Sequence, residues 1–145
     1  MLLFFCGCRT IPSGVVGDGP IVSVKTDNNE DFTAGGAVNY MITSLVMKCR
    51  VIADAGKNKP KVINDFMLSS GDLDYLQMDV WRKLIKMNMI DAKSQISESP
   101  DYRLNSKILP LDRGGDEGLY YVWRMNLERI SDKKILWKEE IVVIK

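Results

Sequence analysis

The chain contains no histidine, only five prolines and only three cysteines in 145 residues. Without an imidazole, Ser-His-Asp and Cys-His nucleophilic centres are excluded for the chain acting alone, as are zinc sites that depend on nitrogen ligands. Cys6, Cys8 and Cys49 are too few for a disulfide scaffold, and no Cys-x-x-Cys pair accompanies them. Charge of one sign is not in excess either. Twenty Lys+Arg against 19 Asp+Glu leave a net +1, which creates no field to gather nucleic acid. No stretch approaches the ~20 apolar residues that span a bilayer as a helix. What remains, 46% hydrophobic and 27% charged, is the make-up of one ordinary globular domain with a single core.

The chain opens Met1-Leu-Leu-Phe-Phe-Cys-Gly-Cys8, an apolar run ending in a small residue followed by cysteine. This resembles the end of a bacterial lipoprotein signal peptide, with Gly7 before the cut and Cys8 as the acylated residue. Cys6 would leave with the signal and Cys49 would stay as a lone thiol. A full signal has a basic n-region and an apolar core of about 7–15 residues. Here no Lys or Arg precedes Cys8, so either the true start lies upstream or the apolar opening is accidental. From residue 9 to residue 30, Pro12, Gly14, Gly17, Gly19 and Pro20 crowd together and read as a flexible tether. The division expected is therefore residues 1–8 as signal remnant and lipidation site, 9–30 as tether, and 31–145 as one globular domain.

Within that domain the first helix starts near residues 31–33, where Asp31 or Thr33 can cap the free amides. Ala34, Ala37, Val38, Met41, Ile42, Leu45, Val46 and Cys49 then recur at helical period. Gly35 and Gly36 weaken the first turn, so the regular helix is expected after them, and it should run to Ala55 before Gly56 and Pro60 close it. Residues 61–68 read as a short central strand. A second helix follows, capped by Asp72 or Asp74, with Leu73, Leu76, Val80, Trp81, Leu84 and Ile85 on one face and Asn88 at its left-handed end. Residues 89–93 and 102–109 read as further strands, with a loop at 97–100. The clearest strand is 119–130, where Leu119, Tyr121, Trp123, Met125 and Leu127 face one way. After the turn at 131–134, Ile135, Trp137, Ile141 and Val143 continue an inward face, interrupted by Glu139, to close a hairpin.

None of the polar patterns amounts to a catalytic site. Residues 113–118 hold the densest glycine cluster, but strand formers follow it where a phosphate loop needs a helix N-terminus. Glu139 and Glu140 are strand neighbours and point to opposite faces, while Asp116 and Glu117 sit in a loop. Neither pair frames a bond as glycoside hydrolysis requires. Tyr120, Tyr121, Trp123 and Trp137 lack the Lys/Arg stripe of a nucleic-acid stacking platform and read as packing residues. Cys49 falls on the apolar stripe and reads as a small buried hydrophobe. No catalytic, cofactor-binding or metal-binding residue is expected, and no small-molecule substrate.

The C-terminal half resembles the LpoB family, outer-membrane lipoproteins that activate a bifunctional penicillin-binding protein. Tyr120-Tyr-Val-Trp-Arg-Met-Asn-Leu-Glu128, then Lys134-Ile-Leu-Trp137, is similar to that family's closing hairpin. Pro60-Lys-Val-Ile-Asn64 resembles its first core strand, Ser70-Gly-Asp-Leu-Asp74 the lead into its next helix, and Ser99-Pro-Asp-Tyr102-Arg-Leu its Ala-Asp-Tyr-x-Leu strand. The helix from Phe32 and the cysteine at Cys8 match as well. Two departures stand out. Residues 92–101 leave room for only a fragment of a helix the family carries there, and the hairpin turn is Ser131-Asp132-Lys133-Lys134 in place of a Thr-Gly pair.

The fold expected is α/β (α+β): a small, mostly antiparallel sheet flanked by helices, with a C-terminal β-hairpin. The resemblance implies a periplasm-facing outer-membrane lipoprotein, tethered through Cys8, that binds and activates a bifunctional penicillin-binding protein without catalysis of its own. The alternative is a structural or secretion-associated lipoprotein of the CsgG type. A pore former of that kind needs added amphipathic strands of about 9–11 residues, and no spare pair lies outside the core segments.

Overall fold

The structure, a computed structural model, describes residues 31–68, 71–94, 96–112 and 120–145. The loop cluster at 113–118, Cys8 and the segment 9–30 lie outside the described residues.

Thr33 starts the helical layer. Its extended backbone places Oγ1 to accept a hydrogen bond from Gly36 N at 3.4 Å, which caps α1 (Ala34–Lys48). The helix therefore includes Gly35 and Gly36 from its first turn, against the expectation that it begins after them. The cap satisfies the Gly36 amide, one of the free N–H groups of the first turn. The residues before it add a strand that periodicity did not reveal. β1 (Asp31–Thr33) is three residues long and pairs in parallel with the last strand.

The expected continuation of the helix to Ala55 is interrupted at Cys49, whose backbone is extended (φ −92°, ψ 108°). Its N–H still reaches Leu45 O at 3.1 Å, and its carbonyl starts the short α2 (Arg50–Ala53). The thiol is fully buried, and desolvation raises its pKa above the ordinary cysteine value. Cys49 is a packing residue, as its place on the stripe predicts.

β2 (Lys61–Phe66) leads to α3 (Tyr75–Lys86), then come β3 (Asp91–Lys93), a single 3-10 turn at Ile96–Glu98, and β4 (Tyr102–Pro110). The chain closes with β5 (Tyr120–Arg129) and β6 (Ile135–Ile144). Asn88 takes positive φ (56°) where the helix ends, as read from its side chain. Asp74 sits at the N-cap of α3 without a capping bond from its side chain, and Asp72 pairs instead with Lys145.

The six strands form one sheet in the order β1-β6-β5-β4-β2-β3. The long central pairs β4/β5 and β5/β6 are antiparallel, as the fold reading expects, while β1/β6, β4/β2 and β2/β3 are parallel. β5 thus runs against every other strand. Leu104, Ile108, Trp123, Met125, Leu127, Trp137, Ile141 and Val143 face the helices and join the main core with Met41, Leu45, Leu76, Val80 and Leu84. Phe66 meets Trp81 edge-on at 6.0 Å, which locks α3 to β2.

Two expected inward residues do not turn inward. Ile85 is 44% exposed at the edge of the α3 stripe, and Ile135 is 45% exposed. Ile135 starts β6 beside the register shift between Leu127 and Glu128, where the strand leaves the helical layer.

Candidate functional site

Burying a tryptophan ring also buries an N–H that needs an acceptor. The fold supplies one at each closing-hairpin tryptophan through a serine. Trp123 Nε1 donates to Ser106 Oγ (2.9 Å), Ser106 Oγ donates to Gln77 Oε1 (2.5 Å), and Gln77 Nε2 donates to Met67 O (3.0 Å). On the other side Trp137 Nε1 donates to Ser44 Oγ (3.0 Å), and Ser44 Oγ donates to Glu139 Oε2 (2.5 Å). Lys48 Nζ lies 3.5 Å from the same carboxylate. Each chain ties one helix to the sheet and gives the buried indole N–H its acceptor. Glu139, the break in the apolar alternation of β6, is the acceptor that the α1 side requires.

Trp123 and Trp137 point into the core and cannot stack on a ligand. Glu139 and Glu140 diverge as strand neighbours must: Glu139 faces α1 and Glu140 pairs with Arg124 on the opposite face. Asp116 and Glu117 lie outside the described residues. Among the described residues no group of His, Cys, Asp and Glu could hold a metal, and no helix is long and apolar enough to cross a membrane.

That opposite face carries a polar ladder across the centre of the sheet. Arg103 Nη1 and Glu128 Oε1 are 3.5 Å apart across β4 and β5. Asn105 Nδ2 donates to Asn126 Oδ1 at 2.8 Å and to Glu128 Oε1 at 3.1 Å. These groups satisfy one another, so the ladder reads as cross-strand stabilisation.

A different region is concave. A cleft of about 1000 Å³ opens where β2, β3 and β4 begin, between the end of α2 and the end of α3. Gly56, at φ 60°, turns the chain out of α2, and Asn58 N closes that turn on Ala55 O at 3.2 Å. The next residues, Lys57-Asn-Lys-Pro-Lys61, form one rim. Ile85 of α3 and Asn88, two residues past its end, contribute another wall, and Asp101 and Tyr102 the third. Ligands of open α/β sheets usually lie at the carboxyl ends of strands. This cleft lies at the amino ends, beside the carbonyl end of α3, which disfavours a phosphate deep inside it. The lysine run was visible in the sequence. Its concave setting was not, because it depends on three strands separated along the chain.

No protein family and no curated protein matches the sequence. Among solved structures the chain is similar to the NMR structure of LpoB from E. coli, at 12% identity, covering 94% of this chain and 83% of that one with a TM-score of 0.47. It is also similar to the C-terminal domain of LpoB from Salmonella enterica, at 10% identity, 74% and 93% coverage and a TM-score of 0.45. A third is the PelC dodecamer from Paraburkholderia phytofirmans, at 12% identity, 60% and 71% coverage and a TM-score of 0.43.

Proposed function

We propose that the chain is a non-catalytic lipoprotein that binds a bifunctional peptidoglycan synthase of the penicillin-binding class and raises its activity. It acts from the outer membrane, facing the periplasm. The observation that carries this reading is that the LpoB-like motifs fall on the elements the resemblance assigns to them. Tyr120-to-Glu128 and Lys134-to-Trp137 build the closing hairpin of β5 and β6, and Pro60-to-Asn64 opens β2. The segment ending at Asp74 leads into α3, and Asp101-Tyr102-Arg-Leu opens β4. An activator needs only to bind the synthase's active conformation more tightly than its resting one. A chain without histidine is equipped for that task and poorly equipped for proton shuttling.

The reading includes acylation of Cys8, with residues 9–30 as a leash that sets the effective concentration of the domain near its partner. Binding of the purified chain to the periplasmic part of a bifunctional penicillin-binding protein from the same organism tests the reading. A saturable complex is expected. Its absence with a folded chain refutes the activator and favours the structural-lipoprotein alternative. Labelled palmitate should be incorporated by the wild type and lost in Cys8→Ser; no incorporation at all removes the anchor.

A further inference from the structure

We propose that the cleft at the amino ends of β2, β3 and β4 is the docking site for an acidic, partly apolar segment of a partner protein. This rests on the reading of the chain as a binding protein and adds where, and by what chemistry, the partner is held.

Charge is the first argument. Arg50 is tied to Asp54 at 3.3 Å, and Asp91 to Lys93 at 3.5 Å. Lys57, Lys59 and Lys61 have no side-chain partner among the described residues, and of the three carboxylates in the lining, Asp54, Asp91 and Asp101, the first two are already paired. Three ammonium groups spaced two residues apart thus stand on one rim of a concave site. Gly56, at φ 60°, turns the chain just before them, and Pro60 disfavours a helical backbone at Lys59 where the chain leads into β2.

Apolar surface is the second. Ile85 belongs to the apolar stripe of α3 yet is 44% exposed, and its exposed side lines this cleft together with Val51 and Tyr102. A partner that fills the cleft therefore offers carboxylates at the lysine rim and an apolar side chain toward Ile85. Such a mixture of a desolvated centre and a charged rim is the anatomy of a protein interface.

Polyanions fit less well. The carbonyl end of α3 and the carboxylates of Asp91 and Asp101 would repel a continuous phosphate backbone. A flat bilayer cannot enter a concavity to reach Ile85. A short peptide can set a few carboxylates on the lysine rim and turn its apolar side chains toward Asp91, Asp101 and the carbonyl end of α3, which a continuous phosphate backbone cannot do.

The test uses the purified chain and a fluorescein-labelled synthetic peptide of alternating Glu and Leu, with a Gln/Leu peptide and phosphatidylglycerol vesicles as comparisons. The acidic peptide should bind, shift the amide resonances of Lys57, Asn88 and Tyr102, and weaken as salt rises toward about 0.5 M. Replacing Lys57, Lys59 and Lys61 together by Gln should lower its affinity about tenfold, with an unchanged thermal melt. Ile85→Ala should lower it as well, at constant salt dependence. Equal binding of the Gln/Leu peptide, resonance shifts elsewhere, unchanged affinity in the lysine variant, or vesicle binding in place of peptide binding each overturns the proposal. If the lysine variant loses the peptide but binds the synthase as the wild type does, the cleft is not the partner's site and the activator reading stands. If the wild type holds the peptide in the cleft but no synthase binds, the activator reading fails and the cleft chemistry stands.

Discussion

Ser106→Ala removes a single oxygen and should be among the most costly small changes in the protein. Ser106 is 5% exposed, and its partners Trp123 and Gln77 are completely buried. Without Oγ, the indole N–H of Trp123 and the side-chain carbonyl of Gln77 lose their partners at once, while the Gln77 bond to Met67 O at 3.0 Å is untouched. A buried group left unpaired costs about 1–3 kcal/mol, so with two stranded the variant should lose about 2–6 kcal/mol. That is a large share of the ~5–15 kcal/mol that holds a domain folded.

Ser44→Ala is the internal control, because it breaks the corresponding bridge on the other side. There Glu139 keeps Lys48 at 3.5 Å, and its side chain is 13% exposed, so only the indole N–H of Trp137 is stranded. Its cost should be about 1–3 kcal/mol. Adding Gln77→Leu to Ser106→Ala removes one of the two stranded groups; it also releases Met67 O, but that residue is 55% exposed and its carbonyl can turn to water, so part of the loss should be recovered, a coupling that a double-mutant cycle measures. Urea denaturation followed by circular dichroism gives the midpoints, compared at constant slope. A Ser106→Ala cost below ~0.5 kcal/mol, the range of surface changes, or a larger cost in Ser44→Ala, refutes the reasoning.

Trp123→Ala should destabilise by about 3–5 kcal/mol, whereas Ile135→Ala, at 45% exposure, should stay within ~0.5 kcal/mol by the same denaturation assay. Lys133 turns the closing hairpin at φ 60°, so Lys133→Gly should stabilise by about 0.5–1 kcal/mol and raise the melting temperature; a lower melting temperature contradicts the turn geometry. Asp132 accepts from Lys134 N at 3.1 Å, and this bond, with Arg129 beside it, holds its carboxyl below the ordinary aspartate value. Its contribution is present above that ordinary value and fades as pH falls through the lower folded one, so Asp132→Asn should flatten the acid limb of a stability–pH profile. The pair of Asp72 and Lys145 lowers the first and raises the second. Its contribution should fade at both pH extremes and shrink with added salt.

The closing hairpin was legible because long alternating strands state their own inward face, and Trp123 and Trp137 obey it. The stripes of α1 and α3 were legible for the same reason at a period of 3.6. β1 was hidden because three residues are too few to alternate, and it exists only because β6 offers it an edge. The break at Cys49 carries no Gly or Pro signal, and its buried side chain lies on the same apolar stripe as the helix before it. Gln77 and Ser44 were missed on otherwise apolar faces, although a buried tryptophan always asks for an acceptor. The cleft escaped because concavity belongs to the sheet order β4-β2-β3 and to no single segment.

The central claim is that this chain supplies binding energy to a synthase and performs no chemistry itself. The rate of glycan-strand polymerisation by the organism's bifunctional penicillin-binding protein, measured with and without the purified chain, tests it most directly. The account predicts a saturable rise in rate with added chain, and no consumption of lipid-linked precursor or peptidoglycan by the chain alone. An unchanged rate at concentrations that saturate the complex, or turnover by the chain alone, contradicts it.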